Sequence, residues 1–366
     1  MFDRRLISNF DWGLFLLTII IGAVGILTIY SAIYGRSESH LSRLHIKQIY
    51  WMIIGLAVLF VVILTDYNSL EKYVYVLYFM MIFFLVYLLV FGKLVAGTQR
   101  WVVLGPLTFQ PSELMKIVLI MTLAKYFSGR KKTGPLNLKD LIIPFAIVSI
   151  PFVLVARQPD LGTAFMFFFV LFAMIFVIGI EFRSFITLMI TGILLLPTMW
   201  LFLKDYQKKR LITLLDPGAD PLGAGYHSLQ SMIAVGSGGF SGKGLFAGTQ
   251  SRLNFLPAKH TDFIFSVLSE ELGFLGATAL IVLYLLFLIK AIDIAYRSKD
   301  DFGYLMAVGI IGMLGLYIVM NIGMTLGIIP IVGLPLPLMS YGGSSVITTM
   351  IAVGLLLNIR MRRFKY

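Results

Sequence analysis

The residues best suited to chemistry in this chain are acids and amines set among apolar neighbours. Asp262 closes the run Lys259, His260, Thr261, Asp262, directly before a long apolar stretch. The run reads either as a dense polar cluster aimed at a membrane surface, or as a helix start with Asp262 favoured by the helix dipole and Thr261 as cap. Glu270 and Glu271 follow about two turns deeper, roughly 12 Å at 1.5 Å per residue. Acids at that depth are rare unless they are paired or functional. In FQPSELMK (109–116), Pro111 and Ser112 can start a helix capped by Ser112 or Gln110, and Glu113 and Lys116 then share one face. That pair is either self-neutralising or the polar wall of a site. In RQPDLGT (157–163), Arg157 and Asp160 stand at the mouth of two apolar stretches, as ligand contacts or as a turn capped by Asp160. Carboxylates and amines so placed can move protons and offset charge. The chain has no cysteine, which removes disulfides, thiolate metal sites and a cysteine nucleophile. Its four histidines, His40, His45, His227 and His260, show no H-x-x-x-H spacing.

Composition says what kind of scaffold holds these groups. The chain has 366 residues, of which 59% are hydrophobic and only 13% charged. A soluble domain keeps about a quarter of its residues charged, so the polar surface here is too small for water and the solvent is lipid. The apolar runs are continuous, which excludes a barrel, whose strands alternate over about ten residues. Ten spans are predicted at roughly 12–34, 46–65, 73–92, 111–127, 140–156, 161–179, 183–203, 263–290, 303–328 and 338–358. The expected fold is an all-α polytopic membrane protein, one integral membrane domain over 1–366, with a large extracytoplasmic loop at about 204–262 between the seventh and eighth spans. The first apolar run is longer than a signal core and lacks a small-residue exit, so it reads as a retained helix.

Charge sets the orientation. With the N-terminus inside, the inner loops collect 15 basic residues, from Arg4 and Arg5 to Arg360, Arg362, Arg363 and Lys365, and the short outer loops only 6, including Arg36, Lys93 and Arg100. Both termini are therefore expected in the cytoplasm. The segments 93–110, 157–160 and 204–262 then lie outside, and Trp12, Trp51 and Trp200 fall near span ends as interface anchors. The net charge of +12 reads as topology signalling, not as nucleic-acid binding.

Two glycine-rich stretches need placing. GSGGFSGKG (236–244) fails the Walker pattern twice, at Ser237 and Gly244, and reads as a flexible hinge or as a close backbone approach to a ligand. NIGMTLGIIPIVGLPLPLMSYGGSS (321–345) is a span broken by Gly and Pro and followed by a new span. Broken membrane helices line cavities, although small residues also serve tight helix packing.

Together, TQRWVVLGPLTFQPSELMK, RQPDLGT, AKHTDFIFSVLSEELGFLG and NIGMTLGIIPIVGLPLPLMSYGGSS resemble the signature blocks of the SEDS family (shape, elongation, division and sporulation). Their order and spacing match across essentially the whole chain. The last block and the loop GAGYHSLQSMIAVGSGGFSGKG look more like the family's RodA branch than its FtsW branch. The resemblance implies a peptidoglycan glycosyltransferase of the bacterial inner membrane, polymerising lipid II into β-1,4 glycan during cell elongation. It implies a class B penicillin-binding protein, the cross-linking transpeptidase, as partner. The family's essential acid aligns with Asp262, and the acid and lysine of its fourth span with Glu113 and Lys116, which makes these three the catalytic candidates. Arg100, Gln110, Ser112, Gln158 and Asp160 match further motif positions and become substrate-binding candidates. Arg210, Lys259, His260, Thr261, Ser340 and Tyr341 join them.

In that reaction a sugar hydroxyl needs a positioned base, and Asp262 is the candidate. Lys116, Arg100, Arg210 and Lys259 are the cations available to a departing pyrophosphate, and Lys116 is expected to hold Asp262 ionised. A divalent cation, Mg²⁺ or Mn²⁺, shares that role in this reading, although no dedicated metal cage is visible. A broken helix with intramembrane charges suits a transporter equally well, so a lipid II flippase is the main rival. A non-catalytic scaffold of the elongation machinery is the second.

Overall fold

A computed structural model describes residues 9–34, 43–92, 100–104, 107–130, 134–216, 218, 220, 223–253, 255–256 and 258–364. Of the basic residues behind the orientation reading, Arg4, Arg5, Arg36, Lys93, Lys131, Lys132 and Lys365 lie outside the described residues.

The polar residues between apolar runs start the helices. Asp11 accepts from the Leu14 amide at 2.9 Å and opens α1 (Trp12–Ile33). After α2 (Leu44–Leu64), Asp66 caps α3 (Tyr67–Phe91), which is why α3 begins six residues before the predicted span. A short antiparallel hairpin, β1 (Val102–Leu104) and β2 (Leu107–Phe109), pairs Val102 with Phe109 and leads into α4 (Pro111–Ser128). Asn137 and Asp140 form a capping box on α5 (Leu138–Arg157), and Asp160 caps α6 (Leu161–Ile178). After α7 (Phe182–Phe202) come three short helices, α8 (Asp205–Leu215), α9 (Ala224–Ser237) and α10 (Thr249–Arg252). The chain then returns through α11 (Ile264–Tyr296), α12 (Asp301–Thr325) and α13 (Gly343–Met361).

This is the expected all-helical polytopic architecture. Eight of these helices are long and apolar enough to cross a membrane by length and composition. Of the ten predicted spans, the two short of that standard are α4 and α7. α4 carries Glu113, Lys116 and Lys125, but it is packed by α3, α5, α6, α12 and α13, so its charges meet protein before lipid. α7 is exposed along most of its length, as a lipid-facing helix is. The last span begins at Gly343, five residues later than predicted, because 326–342 is not helical.

α11 is not one continuous rod. Gly273 breaks it with φ 65° and ψ −161°, and the freed backbone groups are taken up by the glycine-rich stretch. The Phe274 and Leu275 amides donate to Gly239 O at 2.9 Å and Phe240 O at 3.2 Å. In return, the Lys243 and Gly244 amides donate to Glu270 O at 3.1 Å and Glu271 O at 2.9 Å. Four bonds that would run along a helix run instead to a loop. Gly242, at φ 81°, lies so close that a Cβ there would stand 2.1 Å from Glu271 O. The hinge reading of 236–244 is therefore corrected. Its glycines serve close backbone packing, and the partner is the chain itself.

The same loop explains the two deep acids. Glu270, fully buried, accepts from Lys243 Nζ at 2.7 Å, Thr249 Oγ1 at 3.0 Å and the Gln250 amide at 2.9 Å. Glu271 accepts from Ser31 Oγ on α1 at 2.5 Å. Both carboxylates are structural staples.

Candidate functional site

The helices alternate in direction, so Gln110, Asp160, Asp262 and Ser340 come to one end of the bundle and the two termini to the other. At the first end the turn before α11 is held by its backbone. Three consecutive carbonyls are each bonded from α12 or the stretch that follows it: His260 O by the Tyr341 amide at 2.8 Å, Thr261 O by Ser340 Oγ at 2.7 Å, and Asp262 O by Asn321 Nδ2 at 3.0 Å. The Asp262 side chain is not used in these ties. It is half-buried beside Gly333, where a Cβ would stand 3.7 Å from its Oδ2. Burial raises its pKa above the ordinary aspartate value, while Arg210 and the Thr261 hydroxyl pull in the opposite direction.

The non-helical segment 326–342 is satisfied by side chains from around it. Asn321 also donates to Leu334 O at 2.8 Å, Arg210 Nη1 to Ile331 O at 3.1 Å, and Tyr284 to Pro337 O at 2.6 Å. Gln48, buried in α2, donates to Ser340 O at 3.1 Å and accepts from the Gly342 amide at 3.3 Å. Irregular backbone at membrane depth is tolerated on these terms. The segment also joins two clusters. Gly162, at the start of α6, packs against Val332 O so tightly that a Cβ would come within 2.6 Å of it.

The second cluster gathers on Asp160. Its carboxylate caps α6 through the Thr163 amide at 3.4 Å, accepts from Gln110 Nε2 at 3.2 Å, and pairs with Arg100 Nη1 at 3.7 Å. Arg100 Nε donates to Gln158 O at 2.8 Å, and its Nη2 donates to Pro159 O. The Gln158 side chain turns away, donating to Leu85 O at 3.2 Å. Arg157 is exposed, and the cation on Asp160 is Arg100. Helix capping also differs from the sequence reading. Gln110 holds the cap position of α4 but gives its side chain to Asp160, and the Ser112 hydroxyl is buried without a hydrogen bond. Phe263 precedes α11, and the Thr261 hydroxyl turns back to Ala258 O at 3.2 Å.

The third cluster lies inside. Lys116, fully buried, pairs with Glu113 Oε1 at 2.6 Å and donates to the Tyr317 hydroxyl, which stands 3.4 Å from the same carboxylate oxygen. The expectation that Lys116 holds Asp262 ionised is corrected here. Its ammonium is taken by Glu113 and Tyr317, and the cation acting on Asp262 is Arg210. The link to Asp262 runs through α12, where Tyr317 and Asn321 sit one turn apart. Lys259 is buried in the Asp262 turn, and the His260 ring packs edge-on to Tyr341 at 5.9 Å.

Sequence reasoning missed Asn321, Gln48 and Tyr317. The only signal was polarity inside apolar spans, where an amide needs a partner.

The family model for FtsW, RodA and SpoVE, described as a cell cycle protein, matches residues 11–365. The chain belongs to this family. Within it, the peptidoglycan glycosyltransferase MrdB of Escherichia coli K12 is 41% identical, with 92% of this chain and 91% of the relative covered. The peptidoglycan glycosyltransferase RodA of Treponema pallidum is 35% identical, with 98% and 99% covered. Among solved structures, a chain of a peptidoglycan synthase complex described as coordinating polymerisation and crosslinking superposes with a TM-score of 0.84 at 34% identity, covering 98% of this chain and 99% of that one. The crystal structure of Thermus thermophilus RodA gives 0.72 at 31% identity, covering 98% of each. Like these members of the FtsW/RodA/SpoVE family, the chain is a multi-pass protein of the bacterial inner membrane.

Proposed function

We propose that Asp262 is the general base in glycan polymerisation. The chain is a peptidoglycan glycosyltransferase of the RodA and MrdB type, acting in the elongation machinery. On this reading the substrate is lipid II. The donor is a glycan strand carried on a lipid pyrophosphate, and the acceptor is the 4-hydroxyl of the next lipid-linked disaccharide. Asp262 takes the hydroxyl proton as the new bond to the anomeric carbon forms. The bond from that carbon to the pyrophosphate breaks, and the pyrophosphate leaves with the electron pair. An α-linked donor and a β-1,4 product require inversion, which one displacement provides. A positioned carboxylate contributes about 10²–10⁴-fold to such a step. Burial makes Asp262 a stronger base, and Arg210 offsets part of that rise. Arg210, which acts on Asp262, and Lys259, in the same turn, offset the charge of the departing pyrophosphate. Glu113 and Lys116 act as positioning residues, tying α4 to α12 near Asn321.

A Mg²⁺ or Mn²⁺ ion is a separate question. Among the described residues no group of three His, Asp or Glu is placed to hold a metal. Among the described residues the turn at 260–262 brings a single carboxylate, Asp262, and the His260 ring beside it packs on Tyr341, so these residues do not fit a resident metal and no step is derived through one.

On the same reading Asp262 faces the extracytoplasmic side and both termini lie in the cytoplasm, as the excess of basic residues on the inner side supports. The partner is a class B penicillin-binding protein, a reading supported by the likeness to a chain of a peptidoglycan synthase complex.

The observation that carries the proposal is the turn at 260–262, held by three carbonyls so that the Asp262 carboxylate stays available to substrate. The test is Asp262→Asn, assayed for glycan polymer from purified lipid II, with monodispersity and partner co-purification as controls. Polymer is expected to vanish with both controls intact. Full activity in that variant would remove Asp262 from the mechanism.

A further inference from the structure

The end of the bundle opposite Asp262, where α1 begins and α11 and α13 finish, holds a polar cavity that the reaction does not use. Its volume is about 210 Å³, and it is lined by Asn9, Phe10, Asp11, Trp12, Arg360 and Arg363. Two guanidinium groups there have donors to spare: Arg360 Nη1 and Arg363 Nε are buried and make no hydrogen bond. The polar contacts these arginines do make are long, and the Arg363 guanidinium stacks on the Phe364 ring at 4.4 Å. Arg360 Nε stands 4.0 Å from Asp11 Oδ2, its Nη1 3.5 Å from Asp293 Oδ2, and Arg363 Nη2 3.5 Å from Asn9 Oδ1.

Both acids are engaged by other groups at shorter range. Asp11 caps α1 at 2.9 Å, and Asp293 pairs with Arg297 at 2.7 Å. Burial, and then repulsion from Arg360 and Arg297, pulls the Arg363 pKa below the ordinary guanidinium value, with only Asp293 opposing. Desolvated donors, long ion pairs and crowded like charges are what a missing anion leaves behind.

We propose that this cavity binds the phosphodiester headgroup of an anionic membrane phospholipid. Planar guanidinium forks match phosphate oxygens two at a time. The cavity also sits where helices leave the bilayer, and basic juxtamembrane groups there attract anionic lipid. Two large apolar side chains flank the cavity, Trp12 in its lining and Phe364 beside Arg363, both largely exposed. That pair suits a glycerol backbone and the first acyl carbons, whereas free phosphate would meet only the arginines.

The experiment uses the full chain in detergent. Phosphatidylglycerol or phosphatidylcholine is added and retained lipid is read by native mass spectrometry, with inorganic phosphate as competitor. Phosphatidylglycerol is expected to be held about tenfold or more over phosphatidylcholine, and the double variant Arg360→Gln/Arg363→Gln is expected to lose that preference. Arg360 also touches Asp11 and Asp293, so Arg363→Gln is run alone and is expected to weaken the preference several-fold while leaving polymerisation unchanged. An undiminished preference in monodisperse Arg363→Gln overturns the proposal. Complete displacement of the lipid by inorganic phosphate also overturns it, since the ligand is then a free anion.

Discussion

Replacing Asn321 by leucine tests whether the turn before α11 is held for catalysis. The change removes an amide that donates twice, at 3.0 Å to Asp262 O and at 2.8 Å to Leu334 O, without opening a cavity. Each such bond contributes about 0.5–1.5 kcal/mol net, so the pair is worth about 1–3 kcal/mol. Against this, Asn321 Oδ1 is buried with no donor, and leucine relieves a penalty of about 1 kcal/mol. Taking the middle of that range, about 2 kcal/mol, the remaining loss is about 1 kcal/mol, concentrated on the backbone that places Asp262. At about 1.4 kcal/mol per tenfold, correct placement falls roughly fivefold. The assay is polymerisation of lipid II by the purified variant, with thermal unfolding measured in parallel. kcat is expected to fall by that factor while KM moves less. If unfolding shifts down but kcat does not, Asn321 only stabilises the fold and the positioning argument fails.

Three further predictions follow from the same contacts. Arg210→Ala removes a group that lowers the Asp262 pKa; because the base works deprotonated, the acid limb of the rate profile should move to higher pH, and an unmoved limb would separate Arg210 from Asp262. Lys243→Met strands the fully buried Glu270 carboxylate. Breaking a buried pair costs about 3–5 kcal/mol, and the retained Thr249 and Gln250 bonds reduce this to about 2–3 kcal/mol by detergent unfolding, largely recovered by adding Glu270→Gln. Gly242→Ala places a methyl 2.1 Å from Glu271 O at φ 81°, so folded yield should drop sharply, whereas a true hinge would tolerate alanine.

The membrane architecture is legible in the sequence because lipid demands long continuous apolar stretches, and ten of them can be read directly. α4 is legible for the opposite reason: Glu113 and Lys116 are so costly in lipid that they announce an enclosed helix. What a charge pairs with across the fold is less visible. Lys116 finds Glu113 within one turn, which spacing foretells, but its second partner Tyr317 is 201 residues away. Asn321 carries no charge and follows an apolar run, so nothing local marks it as the residue that grips Asp262. The glycine stretch 236–244 is legible only as permissive backbone. Whether such backbone bends or packs depends on Gly273 and the carbonyls of Glu270 and Glu271, about thirty residues further on.

The break at Gly273 divides α11 into two rods with different surroundings. The outer rod, 264–272, is enclosed by protein, while the inner one turns many side chains to lipid. A sideways load from a thickening or thinning bilayer reaches the inner rod first. At Gly273 that load meets bonds running across to a loop, not along the axis. The turn that carries Asp262 therefore sits on a short rod tied to the loop 236–244, and the lipid-facing rod below it is joined to that turn only through a broken helix.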